Sequence, residues 1–252
     1  VTFVDEGPRE APALVAVHGV PGSVRDFRYL APQLTDHIRF VRVDLPGFGG
    51  SDAARDAVET IAGRARAVMG VAHHLDLRRF GVLGHSMGGA TALGLAAAHP
   101  DRVRLLVLVA SIALRPHRGL GLSPRAFTLL GRALGIPLLS SLLVGRARES
   151  YKRRRFPGAE TMDARTLGVH LRAIGAADFG AQRRAVAGSL PPTLVAYARD
   201  DHLIETEVSE ELARALPHAR VLAFSEGGHN LQKTRATELA AGILECLEGS
   251  LQ

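Results

Sequence analysis

A chain of 252 residues, 46% of them hydrophobic and one of them cysteine, can bury one large core, or a core and a lid, and excludes an internal disulfide framework. Three Tyr, nine Phe and no Trp leave Leu, Val and Ala to build that core. The net charge of +6 is unevenly held: residues 113–190 carry 14 Lys or Arg against 4 Asp or Glu, and the remainder 17 against 21, so the basicity belongs to one segment.

In chain order, Ala13 to His18 reads as a buried strand and Arg25 to Leu34 as a helix. Ile38 to Val43 is a β-branched strand ending at Asp44, and Ile61 to Leu77 is helical in spite of Gly63 and Gly70. Phe80 to Leu83 is a short strand leading into Gly84-His85-Ser86-Met87-Gly88-Gly89, after which Ala90 to Ala98 is a helix. Val103 to Val109, apolar but for Arg104, is a strand of the kind buried on both faces of a parallel sheet. The rhythm breaks near Ala113 and resumes at Pro191-Pro192, with a helical segment and no convincing strand between. Leu194 to Ala198 and Arg220 to Phe224 are the last strands, followed by helices from Glu207 to Leu216 and from Leu231 to Leu247. The pattern predicts an α/β protein with a mostly parallel central sheet and helices on both faces. Residues 1–112 and 191–252 form its core, and residues 113–190 an inserted helical cap.

The chemistry centres on Ser86. Small residues at Gly84 and Gly88 allow a sharp strand-to-helix turn that pushes the serine hydroxyl out of the sheet. The helix that follows points free N–H groups at the same place. Serine needs a base within hydrogen-bonding reach and a carboxylate to orient that base. In this strand order both should follow the serine, each in a loop after a late strand. His202, His218 and His229 come late enough. His229 is preferred, because Gly227-Gly228 lets its loop fold back over the sheet edge after the strand ending at Phe224. Asp200 and Asp201 compete as the acid, and Asp201, one residue deeper into the turn, is favoured. A developing oxyanion needs two preset donors. The N–H of Met87 is one, and the N–H of Val20, between the glycines of His18-Gly19-Val20-Pro21-Gly22, is the other.

These motifs, with Asp44-Leu-Pro-Gly47-Phe-Gly49-Gly-Ser51, resemble the α/β-hydrolase superfamily and stand in its order along nearly the whole chain. The resemblance implies a Ser86–Asp201–His229 triad, a helical cap over the site, and a structural loop shaped by Asp44, Gly47 and Gly49. No cofactor and no metal are expected. Thr2 to Gly7 is similar to the family's second strand, with the usual first strand absent or trimmed. Members that dehalogenate or open epoxides usually carry Asp at the elbow, which Ser86 argues against. Carbon–carbon hydrolases often show Asn in place of His85. The function expected is a serine esterase taking carboxylic esters of short-to-medium acyl chain. A carbon–carbon hydrolase, a cofactor-free perhydrolase and a non-enzymatic ligand-binding protein are the alternatives.

No His-Glu-x-x-His or spaced Cys/His set suggests a metal, and no nucleic-acid module is visible. Cys246 reads as packing, and one thiol fits a reducing, cytoplasmic compartment. The chain begins at Val1 without a signal pattern, and no stretch is apolar enough to span a membrane. Oligomeric state is not indicated. The basic cap has two readings. In one, Phe127, Leu130, Leu134, Leu138 and Leu142 line an acyl pocket rimmed by Lys152-Arg153-Arg154-Arg155, suited to an anionic or interfacial substrate and to weak contact with an anionic membrane surface. In the other, which is favoured, the Leu face packs on the core and the arginines are solvated.

Overall fold

The structure is a computed structural model that describes residues 1–53, 58–112, 114–153, 160 and 162–249. Arg154 and Arg155 of the basic cluster lie outside the described residues.

Seven strands form one sheet: β1 (Phe3–Glu6), β2 (Ala13–Val17), β3 (Arg39–Val43), β4 (Phe80–His85), β5 (Val103–Val109), β6 (Thr193–Ala198) and β7 (Arg220–Phe224). Their order is β1-β3-β2-β4-β5-β6-β7. Only β1 is antiparallel, to β3; every other pairing is parallel. Residues of β2 and β4 are all buried, as expected for strands covered on both faces. The pleat divides them: Val15, Val17 and Val82 join one apolar cluster, and Leu14, Ala16 and Leu83 the other.

The helices of the core are α1 (Ala31–Leu34), α2 (Ile61–His74), α3 (Met87–Ala98), α8 (Thr206–Ala215), α9 (Leu231–Thr234) and α10 (Ala236–Gly249). Three expectations differ from this. The segment expected as one helix from Arg25 to Leu34 is a 3-10 turn, Val24–Phe27, followed by the short α1, because Pro32 has no N–H to continue an earlier helix and instead starts a new one. Helix α2 stops at His74, ahead of the left-handed residue Asp76 (φ 54°). The last helix is interrupted at Arg235 (φ −130°), where the Thr234 hydroxyl donates back to the Gly227 carbonyl.

Between β5 and β6 the described residues form four helices, α4 (Pro124–Ala133), α5 (Pro137–Arg153), α6 (Ala164–Gly175) and α7 (Phe179–Val186). Helices α4 and α6 cross at two glycines. A Cβ at Gly131 would come within 2.7 Å of the Gly168 carbonyl oxygen, and one at Gly168 within 2.8 Å of the Gly131 oxygen. The insert is tied to the core by Arg64 of α2. Its fully buried guanidinium donates to the carbonyls of Val58 and, on α6, Ala173. Burial pushes the Arg64 pKa down to about 10, still far above neutrality, so a full charge is held among carbonyl oxygens. Among the described residues no helix is long and apolar enough to cross a membrane.

Candidate active site

Ser86 sits between β4 and α3 at φ 53°, ψ −120°, a left-handed conformation that a residue with a Cβ rarely adopts. Close packing of glycines holds it there. A Cβ on Gly84 would overlap the Gly88 carbonyl, and one on Gly88 would overlap the carbonyls of Val17 and His18. The first turn of α3 therefore lies directly on the ends of β2 and β4, and the serine side chain has no room except above the sheet.

The loops after β6 and β7 bring the other two groups to it. His229 Nε2 is 2.9 Å from Ser86 Oγ, and His229 Nδ1 is 2.8 Å from Asp201 Oδ2. The carboxylate can only accept, so Nδ1 carries the proton and Nε2 is free to accept from the serine hydroxyl. Asp201 Oδ1 accepts from the amides of Leu203 (2.8 Å) and Ile204 (3.1 Å), which fixes its plane. Burial works to raise the Asp201 carboxyl; the hydrogen bond and charge of His229, with the two amides, outweigh it and hold the group below the ordinary aspartate range. Asp200 points elsewhere: its Oδ1 accepts from Gly228 N at 2.7 Å, and that bond lowers its pKa. It shapes the histidine loop.

The His18–Gly22 loop passes over the serine. A Cβ on Gly19 would stand 3.0 Å from Ser86 Cβ, and Val20 and Met87 line the same cavity as Ser86. Among the described turns and loops neither amide donates to a backbone carbonyl. His18 is structural. Its Nε2 accepts from Leu45 N at 3.0 Å, its Nδ1 donates to the Gly19 carbonyl at 2.6 Å, and burial depresses its pKa to about 4. Asp44 organises the neighbouring loop. Its Oδ1 accepts from Val24 N and its Oδ2 from Gly50 N and the Thr2 hydroxyl, while Gly47 and Gly49 adopt φ of 85° and 54°.

The cavity above Ser86 measures about 290 Å³, the lower end of the range for small-molecule sites. One wall is apolar: Ile112, Leu120, Ile174 and Leu203. The other is polar: Asp26, Arg28, Gln232 and Lys233. Sequence reasoning missed this polar wall. Gln232 and Lys233 could have been found from their place one turn after His229; Asp26 and Arg28 carry no motif. Burial raises the Asp26 carboxyl to about 6. Of the residues that line the cavity, Gln232 and His85 each have a buried atom, Oε1 and Nδ1, with no partner among the described residues. The His85 Nε2–H donates to the carbonyl of His229 at 2.8 Å, so it holds the base loop against the nucleophile strand. Burial, then the nearby His229, lower the His85 pKa to about 3.

The apolar stretch of the cap does not do what either reading expected. None of Phe127, Leu130, Leu134, Leu138 and Leu142 lines the cavity. Phe127 and Leu134 are buried in the core cluster, whereas Leu138 and Leu142 are 76% and 67% exposed. The acyl-pocket reading is corrected accordingly: the cap's share of the cavity comes from His117, Gly119, Leu120 and Ile174.

Residues 12–127 and 118–236 match the family described as "alpha/beta hydrolase fold". The magnesium-chelatase 30 kDa subunit of Rhodobacter capsulatus is 28% identical to this chain over 98% of it and 90% of its own length. The 2-hydroxymuconate semialdehyde hydrolase of Pseudomonas sp. strain CF600 is 31% identical, over 90% of this chain and 84% of its own. Among solved structures, the enol-lactonase from Burkholderia xenovorans LB400 superposes with a TM-score of 0.75 at 25% identity, covering 98% of this chain and 96% of that one.

Proposed function

This chain belongs to the alpha/beta hydrolase fold family, and within it we propose a serine hydrolase that cleaves carboxylic esters of short-to-medium acyl chain through an acyl-enzyme. The observation that carries the reading is the relay Asp201–His229–Ser86, with contacts of 2.8 and 2.9 Å ending at a serine on a strained turn.

The steps follow from the proton positions. Ser86 Oγ attacks the acyl carbon while His229 Nε2 takes its proton, and Asp201 stabilises the imidazolium that forms. The amides of Val20 and Met87 receive the negative charge on the carbonyl oxygen. His229 then delivers its proton to the departing alkoxide. A water enters, gives its proton to Nε2 and attacks the acyl carbon; the acyl–Oγ bond then breaks as His229 returns that proton to Ser86 Oγ, and the acid is released. The apolar wall of Ile112, Leu120, Ile174 and Leu203 suits the acyl chain, and the wall of Asp26, Arg28, Gln232 and Lys233 suits a polar leaving group.

A panel of p-nitrophenyl esters from acetyl to palmitoyl tests this. Turnover should rise from acetyl to a short or medium chain and fall beyond it, each buried methylene contributing up to about 0.8 kcal/mol until the cavity is full. An initial burst of nitrophenol should mark the acyl-enzyme. No hydrolysis of any ester would refute the reading. The 31% identity to a semialdehyde hydrolase supports carbon–carbon cleavage as the second reading. It would prevail if 2-hydroxymuconate semialdehyde were consumed far faster than every ester.

A further inference from the structure

We propose that the turn between α4 and α5, with the leucines flanking it, docks on an anionic lipid bilayer surface. This does not rest on the identity of the ester cleaved. Nine large hydrophobic residues of the described chain are exposed, and six of them, Leu122, Leu129, Ile136, Leu138, Leu139 and Leu142, fall within 21 residues. Ile136, Pro137, Leu138 and Leu139 form an unbroken exposed run at the turn itself. Helix α5 has 17 residues and buries only Ala147 and Tyr151; Leu143 and Val144 pack partly against the core, while Pro137, Leu138, Leu139 and Leu142 stay exposed. None of the six exposed residues lines the catalytic cavity. Substrate binding therefore leaves this apolar surface unexplained, and an exposed cluster of this kind marks an interaction site.

The charges identify the partner. Residues 114–153 hold eight Lys or Arg and a single acid, Glu149. Arg115, Arg132 and Arg153 pair with Glu211, Glu59 and Glu149. Arg125, Arg146 and Lys152 are exposed and have no carboxylate partner among the described residues. Position along the helices matters as much as number. Leu138, Leu142 and Arg146 follow at i, i+4 and i+8 on one stripe of α5, so Arg146 sits about 12 Å behind the tip. On α4, Arg125 stands one turn behind Leu129 on the same face. Both helices thus present apolar side chains at the turn and a cation further back. A bilayer surface has that profile, with hydrocarbon at depth and phosphate above it. A second copy docked through the same face would set like charges against each other.

Co-sedimentation of the full chain with large vesicles tests the proposal. One set is phosphatidylcholine alone, and the other contains about a third phosphatidylglycerol. We expect binding to the anionic vesicles, little to the neutral ones, and release in high salt. Two variants separate the contributions, Ile136→Ser/Leu138→Gln/Leu142→Gln and Arg125→Gln/Arg146→Gln/Lys152→Gln. Each should weaken anionic vesicle binding about tenfold or more, and both should hydrolyse a small soluble ester at the wild-type rate, which shows that they are folded. Three outcomes would overturn the proposal. One is no sedimentation of the wild type with anionic vesicles. Another is binding that the leucine variant leaves intact. The third is self-association of the wild type, abolished by the leucine variant, without vesicle affinity, which would make the face a contact between copies.

Discussion

At the scale of single residues, the strain at Ser86 and the hydrogen bond its hydroxyl donates to His229 are two sides of one design. A side chain at φ 53° costs on the order of 1–3 kcal/mol, and the glycines at 84 and 88 leave the chain no alternative path. Ser86→Gly should therefore abolish turnover and raise the unfolding free energy by about 1 kcal/mol, the relief of strain exceeding the added chain entropy; denaturant titration reads it. Asp201→Asn should lower kcat by about four orders of magnitude, because an amide cannot stabilise the imidazolium and favours the wrong tautomer. Asp200→Asn should cost less than about tenfold, since its amide oxygen can still accept from Gly228 N. Reversal of the two effects in steady-state kinetics would transfer the role to Asp200. Ser86, His229 and Asp201 were legible as candidates because each sits in a turn next to a strand that the apolar pattern makes plain. Asp26 and Arg28 were not. They sit on a 3-10 turn and just after it, and what brings them to the cavity is the packing of that turn beside the loop of residues 18–22, a tertiary fact with no local signature.

At the scale of elements, strands that read as apolar runs, such as Val103–Val109 with Arg104 its one polar residue, stand where expected, because burial on both faces leaves little choice of residue. The cap was harder to read for a geometric reason. Leu130, Leu134, Leu138 and Leu142 keep a four-residue spacing, but Gly135 to Pro137 breaks the helix between the second and the third, so the four do not share a face. Arg64 shows how the cap is held. It is fully buried, and its contacts to Val58 and Ala173 join core to insert. Arg64→Leu leaves those carbonyls without their donor, each at a cost of about 1–3 kcal/mol. Hydrogen exchange should then accelerate in α6 ahead of the sheet, and KM should rise more than kcat falls, because Ile174 forms part of the cavity wall. Unchanged exchange in α6 would remove Arg64 from that role.

At the scale of the whole molecule, three histidines are buried and held neutral: His18 and His170, with pKa lowered by burial to about 4, and His85 to about 3. Their folded values lie below the unfolded value of about 6.5, so the stability they contribute is complete above that pH and is lost as pH falls toward 4. Asp26, raised to about 6, opposes them, since between about 4 and 6 the folded state holds a proton that the unfolded state releases. For these four groups the balance is a net uptake of about two protons on unfolding near pH 5, a slope of about 3 kcal/mol per pH unit. Urea titrations between pH 7 and 4.5 should show that slope; a flat profile would mean that these histidines are protonated in place. The most direct test of the relay is covalent. Incubation of the whole chain with a fluorophosphonate, followed by intact-mass measurement and peptide mapping, should give one adduct per molecule, located on Ser86. The adduct should be absent from Ser86→Ala and form far more slowly in Asp201→Asn. A folded wild-type protein that hydrolyses esters yet takes no label, or takes it on another residue, would contradict the assignment of Ser86 as the nucleophile.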